Sequence, residues 1–363
     1  MNLENQNILF ICRGTQHGGT ENVVLQLCDI FIPLVKKVVV ISGTTDGSFL
    51  DSLSALNVKH YRVSDIEDKS PKTITNTILT VKKIVIGENI SVIHTHHRMA
   101  AFYVHMLGLD KKCTFINTSH NTFNNRKMMT RFAYKNCNLI ACGKMVKKNL
   151  QEVYGLQNIT VIHNAVRSFD ATSANEELQF VELKKKGCIL IGNVGRLSKQ
   201  KGMKYFIQAV PAIVRQIPKA RFYIIGSGEE EHNLHMLSKK LGIEQYIVFM
   251  GYRTDVQNLM RQLDLIVLSS LWEGLPLTPI EAFSVGKTIV ATGVDGTIEI
   301  VRNGENGLLV DAKNSKHIAE KVIWMVKNPE EKKRMEHCAL LTFKNDFSFE
   351  KLKSDYINYY KKL

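Results

Sequence analysis

No segment of this 363-residue chain supplies the run of about eighteen apolar residues that a membrane-crossing helix needs, so a spanning helix is excluded at the outset. The seven cysteines, at 12, 28, 113, 137, 142, 188 and 338, are odd in number and form no C-x-x-C pair. That argues against a disulfide framework and predicts reduced, buried thiols in a cytosolic chain. The order G-x-G-x-x-G is missing from the first strand-to-helix turn, which counts against an NAD-binding enzyme. An acid, Glu4, stands where a secretory leader carries basic residues, and the apolar run 8–12 is too short for a leader's core. That run reads instead as a first buried strand.

Acidic residues are absent from one long stretch. Positions 111–151 hold nine Lys or Arg and no Asp or Glu, within a chain of net charge +14. Such a field attracts polyanions: ligand phosphates, anionic lipid or nucleic acid. The aromatic residues are not interleaved with the basic ones as a base-stacking surface needs, so nucleic acid is not expected as a partner. Within the stretch Lys127, Arg131 and Lys135 recur every four residues beside Arg126, while Met128, Phe132 and Ala133 fill a neighbouring face. This predicts an amphipathic helix able to lie on an anionic membrane surface, and a cytoplasmic protein peripheral to the inner face of the plasma membrane. His94, His96 and His97 cluster after an apolar strand and are read as packing and polar contacts, with no metal site.

What the chain does contain is enough apolar material, 44% of residues with 23% charged, for two cores, as its length requires. A short β-branched strand, a turn and a helix repeat throughout. Strands are expected at 8–12, 37–42, 92–95, 114–118, 138–142 and 159–163, then at 188–194, 221–225, 246–249, 265–268, 288–291 and 307–310. The alternation specifies parallel sheets covered on both faces. The polar stretch 167–187 breaks the rhythm and is expected as a linker, between a first domain 1–166 and a second 188–345. In the terminal segment 346–363, Phe349, Leu352, Tyr356 and Tyr360 form one helical stripe. Periodicity alone leaves open which domain that helix covers; it is assigned here to the first.

Three segments carry chemistry. Gln16-His17-Gly18-Gly19-Thr20-Glu21 opens a helix after the first strand, where paired glycines let backbone approach a phosphate at the helix start. Arg196 and Lys201 lie between the next domain's first strand and its helix, at the carboxyl end of a parallel strand, where they can converge on a diphosphate or simply be solvated. Glu273 and Glu281 are eight positions apart around a Gly-Pro turn. Thr278, Pro279 and Glu281 read as N-cap, N1 and N3 of a helix with a capping box. Glu281 can also accept hydrogen bonds from vicinal hydroxyls. The N–H groups of Leu277 and Thr278 would face a phosphate or sugar hydroxyl, whereas Pro276 has none.

These residues resemble family four retaining glycosyltransferases of the GT-B fold. Glu273 and Glu281 with Ala282-Phe283-Ser284-Val285-Gly286-Lys287 carry the signature, and Gly18-Gly19-Thr20-Glu21, Asn164-Ala165-Val166, Gly195-Arg196 through Lys201-Gly202, Gly226-Ser227-Gly228, Phe249-Met250-Gly251 and Asn306-Gly307-Leu308-Leu309-Val310 follow in family order. The resemblance implies two facing Rossmann-like doubly wound domains, acceptor-binding then nucleotide-sugar-binding, with a terminal helix crossing back to the first. It implies that Arg196 and Lys201 hold the donor diphosphate, Glu281 the ribose and Glu273 the donor sugar. Gly19 would approach the diphosphate, His120 would contact the donor sugar, and Tyr252 and Arg253 would lie near the base. The chemistry would retain anomeric configuration without metal or cofactor, in agreement with the lack of an Asp-x-Asp triplet. The implied substrates are a nucleotide-diphosphate sugar, expected to be a UDP-sugar, and a lipid-linked saccharide of bacterial capsule or O-antigen assembly. Asn121 after His120, and Gly293 through Glu299 without a proline before the acid, depart from the usual family pattern.

Overall fold

A computed structural model describes residues 1–13, 19–43, 47–66, 68 and 70–363. They form two compact units, Met1–Asn164 with Glu350–Leu363, and Ala165–Phe349.

The first unit is built on strands β1 (Asn7–Ile11), β2 (Lys37–Ser42), β3 (Lys59–Arg62), β4 (Val92–Thr95), β5 (Thr114–Ser119), β6 (Asn138–Ala141) and β7 (Ile159–Val161). All pair in parallel, in the order β3-β2-β1-β4-β5-β6-β7. Every residue of β1 is buried, as a central strand covered on both faces requires. The chain runs outward in one direction to β3 and then in the other from β4, so the order reverses between β1 and β4. Open α/β sheets leave a ligand-accepting crevice at the carboxyl ends of such a pair.

Strand β3 is the one that periodicity does not announce, because Lys59-His60-Tyr61-Arg62 is polar. It is an edge strand, tied to its neighbour β2 through one carboxylate: Lys59 Nζ of β3 and Lys37 Nζ of β2 lie 2.7 and 2.8 Å from Glu88, and the Tyr61 hydroxyl donates to the same group. These three donors pull the Glu88 pKa down to about 2.

The terminal helix, Phe349–Lys362, returns to the first unit, and Leu352, Tyr356 and Tyr360 are buried there. Tyr360 packs on Phe31 with ring centres 4.3 Å apart, and its hydroxyl lies 2.7 Å from His94 Nδ1. Tyr356 reaches Thr118 Oγ1 at 3.3 Å, and the Met1 amine donates to the Lys361 carbonyl at 2.7 Å.

The second unit is a six-stranded parallel sheet of β8 (Ile189–Val194), β9 (Ala220–Ile225), β10 (Ile247–Gly251), β11 (Leu265–Leu268), β12 (Ile289–Thr292) and β13 (Gly307–Val310). Its order, β10-β9-β8-β11-β12-β13, reverses between β8 and β11. Phe206, Ile207 and Val210 from the helix Met203–Gln216 pack with Phe222, Leu265 and Val267 of the sheet. The stretch 167–187, expected as a linker, belongs to this unit. It carries the helix Leu178–Lys185, whose Phe180 is buried edge-on to Tyr223 at 4.6 Å.

The basic amphipathic segment is shorter than its spacing predicts. The helix covers Lys127–Ala133, and Lys135 falls beyond it because Tyr134 ends the helix and Asn136 turns left-handed at φ 58°. Ala133 and Thr130 face inward. Arg126, Lys127, Arg131, Phe132, Lys135 and Met128, the last 86% exposed, face solvent. Arg131 Nε donates to the Tyr154 carbonyl at 2.7 Å, satisfying the end of the neighbouring helix Lys144–Tyr154. No helix among the described residues is long and apolar enough to cross a membrane.

Candidate active site

The carboxyl ends of β8 and β11, the pair at which the second sheet reverses, each lead into a loop bearing charged residues of the expected site, two after β8 and one after β11. After β8 the backbone passes Gly195 and Arg196 and closes a short turn at Lys199–Lys201. After β11 it runs through Ser269 and Ser270 to Glu273. The loops are laced together: Leu271 N–H donates to the Gln200 carbonyl at 2.7 Å, Gln200 Nε2 to the Trp272 carbonyl at 2.9 Å and Ser269 Oγ to the Lys201 carbonyl at 3.0 Å. This lacing brings Lys201 Nζ to 2.6 Å from Glu273 Oε1, with the carboxylate 6% exposed. Ser270 Oγ donates to the same oxygen at 2.6 Å. A buried charge this well partnered is tolerated, whereas either member alone would be strongly disfavoured.

Glu281 stands on the helix Leu277–Ser284. Burial pushes its carboxyl up to about 7, against the opposing pull of Lys201, so both glutamates sense one ammonium. The capping box does not form. Pro276, extended at φ −70° and ψ 138°, is the N-cap, which makes Thr278 the second helical residue. Its buried hydroxyl donates to the Val194 carbonyl at 3.4 Å. The helix start still leaves the Leu277 and Thr278 N–H groups without intrahelical partners.

Of the four charged side chains expected together, Lys201, Glu273 and Glu281 are gathered. Arg196 is directed elsewhere: its Nη2 lies 3.4 Å from Glu229 and both side chains are largely exposed. Arg253 is likewise occupied. Its guanidinium makes two 2.8 Å bonds to Asp255 and a third of 3.2 Å to Glu177, clamping its loop to the start of the helix at 178. Tyr252 beside it is 61% exposed.

Sequence reasoning assigned no role to Asp295, which lies 22 positions from Glu273 and accepts its backbone N–H at 3.3 Å. The next residue explains the local sequence: a Cβ on Gly296 would sit 1.8 Å from the Gly274 carbonyl oxygen, so only glycine lets this loop close on the Glu273 turn. Gly226 serves the β8 loop in the same way, at φ 140° and with a Cβ position 2.1 Å from the Gly195 oxygen. Thr292 Oγ1 donates to the Ser270 carbonyl at 2.6 Å. Gly226 and Gly296 stood in the quoted motifs, but the carbonyls they admit are distant in sequence.

In the first unit His120 follows β5, half-buried, and His96 and His97 follow β4. His96 Nδ1 and His120 Nε2 are 3.1 Å apart, and His94 stacks on His96 at 4.3 Å. Burial, with His97 adding to it, lowers the His120 pKa to about 4; His94 and His96 are held well below the usual imidazole range by burial first. Gly19 begins the helix Gly19–Phe31, while Gly18 lies outside the described residues. Among the described residues no cluster of three His, Cys, Asp or Glu suits a metal ion.

Comparison with known proteins bears on the family and the two-unit fold. Residues 17–168 match the family described as Glycosyltransferase Family 4 and residues 174–339 match Glycosyl transferases group 1. The N-acetyl-alpha-D-glucosaminyl L-malate synthase of Bacillus anthracis is 25% identical over 298 residues, 75% of each chain. The UDP-Gal:alpha-D-GlcNAc-diphosphoundecaprenol alpha-1,3-galactosyltransferase of Escherichia coli is 32% identical over 130 residues, 35% of this chain and 34% of its own. Among solved structures, Anabaena HepE in complex with UDP superposes with a TM-score of 0.83 at 18% identity, covering 99% of this chain and 100% of that one.

Proposed function

We infer, from the premise that this chain belongs to the family four glycosyltransferases of the GT-B fold, a transferase that moves a hexose or N-acetylhexosamine from a UDP-sugar with retention of configuration. The acceptor proposed is a lipid-linked saccharide of bacterial surface-polysaccharide assembly. The observation that carries the donor half is the Lys201–Glu273 pair at the β8/β11 reversal, 2.6 Å apart, with Glu281 beside it.

In this reading Lys201 binds the diphosphate and opposes the charge that grows on the leaving group as the glycosidic bond breaks. Glu273, tethered by Ser270 and Asp295, turns its free oxygen to a donor-sugar hydroxyl. Glu281 accepts from the ribose hydroxyls, and the Leu277 and Thr278 amides serve the phosphate at the helix start. Arg196 would join Lys201 by exchanging Glu229 for the diphosphate, an exchange made easy by its exposure. We assign His120 the donor-sugar contact, Gly19 the approach to the diphosphate, and Tyr252 and Arg253 the neighbourhood of the base. The leaving phosphate takes the acceptor proton on the face it leaves, so no metal or cofactor is invoked.

The lipid-linked acceptor is supported by the E. coli relative's substrate and by the exposed basic helix at 127–133, which suits an anionic membrane face. A second reading keeps the donor site and assigns a small soluble acceptor; the coverage of the malate-linked synthase favours it. Turnover of UDP-sugars by the purified protein decides between them. A product formed only on polyprenyl-diphosphate saccharides, with the anomeric configuration of the donor, supports the first reading. Efficient transfer to water-soluble acceptors supports the second, and inversion at the anomeric carbon sinks the retaining mechanism in both.

A further inference from the structure

The first unit contains buried imidazoles that the donor site does not account for. His94 has both ring nitrogens engaged, Nδ1 with the Tyr360 hydroxyl at 2.7 Å and Nε2 with Thr118 Oγ1 at 2.8 Å. It cannot serve His96, on which it stacks. Among the described residues His96 therefore has a single hydrogen-bond partner, His120, and its other nitrogen, Nε2, is enclosed with no hydrogen bond.

Two neutral imidazoles joined by one hydrogen bond leave two arrangements. If His120 donated from Nε2, His96 would have to carry its own proton on Nε2, an enclosed N–H with nothing to receive it. If His96 donates from Nδ1, its Nε2 is a bare lone pair. Buried orphan donors are rarer in folded proteins than under-satisfied acceptors, and each buried unmet polar group costs about 1–3 kcal/mol. The second arrangement is the one that avoids an orphan donor.

We propose that His96 is a positioning residue that fixes the tautomer of His120, donating from its Nδ1 to His120 Nε2 so that His120 keeps its own proton on Nδ1 as a standing hydrogen-bond donor. Protonating His120 at Nε2 would set two donors against each other, so the ring stays neutral. The ionisable groups around it agree: His94 of β4 and His96 just after it are desolvated and neutral, His97 at the head of the next helix opposes a second positive charge, and Cys142 Sγ, after β6, meets the His120 carbonyl at 3.5 Å. The functional consequence rests on the transferase reading: His120 binds a sugar oxygen as a donor and neither gives nor takes a proton during transfer.

The tautomer itself is measured without substrate. Long-range proton–nitrogen correlation on labelled full-length protein, with ring signals assigned from His94→Gln, His96→Asn and His120→Asn, should show His120 neutral and protonated on Nδ1 from about pH 5 to pH 8. An Nε2–H signal for His120, or its titration within that range, overturns the proposal. His96→Phe should release His120 to the other tautomer and lower kcat about tenfold, the scale of one lost hydrogen bond, with KM for the donor changed less than kcat. His96→Asn, whose amide can donate from near the Nδ1 position, should restore most of that loss. Unchanged His120 signals in His96→Phe also overturn it. Absence of any sugar transfer by the wild-type protein defeats the transferase reading and leaves the tautomer result standing.

Discussion

The two units place the same topological feature, a reversal of strand order, under opposite electrostatic regimes. At β8/β11 the second unit buries full charges and balances them, Lys201 against Glu273 with Glu281 pressed toward neutrality. Beside the first unit's reversal at β1/β4, the described residues at the ends of β4 and β5 gather the neutral imidazoles His94, His96 and His120, while cations cluster on the surface around the helix Lys127–Ala133. On the proposed transferase reading, the second unit keeps its cation for the diphosphate where desolvation makes it strong, and the first unit meets sugar hydroxyls with uncharged donors, which ask for no counter-ion.

Lys201→Met should break this contrast most severely. It leaves the Glu273 carboxylate buried without its cation, and kcat/KM in a UDP-sugar assay should fall by about a thousandfold, the scale of a lost transition-state charge contact. A loss below about tenfold would show that the pair only holds the loops.

Replacing Lys127 and Lys135 by Gln tests the surface half of the comparison. Among the described residues neither lysine has an ionic partner, and Arg131 is left in place because it caps the helix Lys144–Tyr154. Each lysine near an anionic surface contributes about 1 kcal/mol, so flotation with phosphatidylserine vesicles should show affinity down roughly thirtyfold, with wild-type binding weakening as salt rises. Equal binding by the variant removes the membrane from the reading.

Glu281→Gln sharpens the contrast in two directions. The folded pKa of about 7 lies above the ordinary carboxylate value of about 4.3, so between those values the folded chain holds a proton that the unfolded chain has released. Stability therefore declines as pH rises through that window and stays reduced above it. The amide should raise thermal stability at pH 8, by on the order of 2 kcal/mol, while weakening UDP-sugar affinity about tenfold. Wild-type affinity should drop as pH falls below about 7, and the variant's should not; calorimetry at both pH values reads this.

Tyr360→Phe is the mildest. It removes one hydrogen bond to His94 Nδ1 and keeps the packing on Phe31, so a loss of about 1 kcal/mol is expected, seen as a lower melting temperature of the first unit. No change would show that water or Thr118 supports His94 unaided.

Much of this architecture was legible in order along the chain, because strand, turn and helix are local signals with distinct periods. The exceptions have physical causes. β3 is polar and its hold at the edge of the sheet rests on Glu88, 27 and 29 positions away from Tyr61 and Lys59. Thr278-Pro279 with Glu281 mimicked a helix start, but the preceding Pro276 is already extended and displaces the cap by two residues. Lys201, Glu273 and Glu281 could be proposed as a group since each follows a strand end or opens a helix. Asp295 and His96 could not, because their roles depend on a backbone N–H and a ring nitrogen that only folding brings near. Arg253 is the opposite case: its position could be named from the sequence, while its three bonds to Asp255 and Glu177 could not.

The first unit is assembled from two stretches of chain separated by the whole of the second. During synthesis its seven strands can pair early, yet His94 and Thr118 must wait for Tyr360 and Tyr356, which leave the ribosome 266 and 238 residues later. Until then the face of the sheet that the last helix will cover stays open. The second unit suffers no such delay, so the half of the protein that begins first is the half that finishes last.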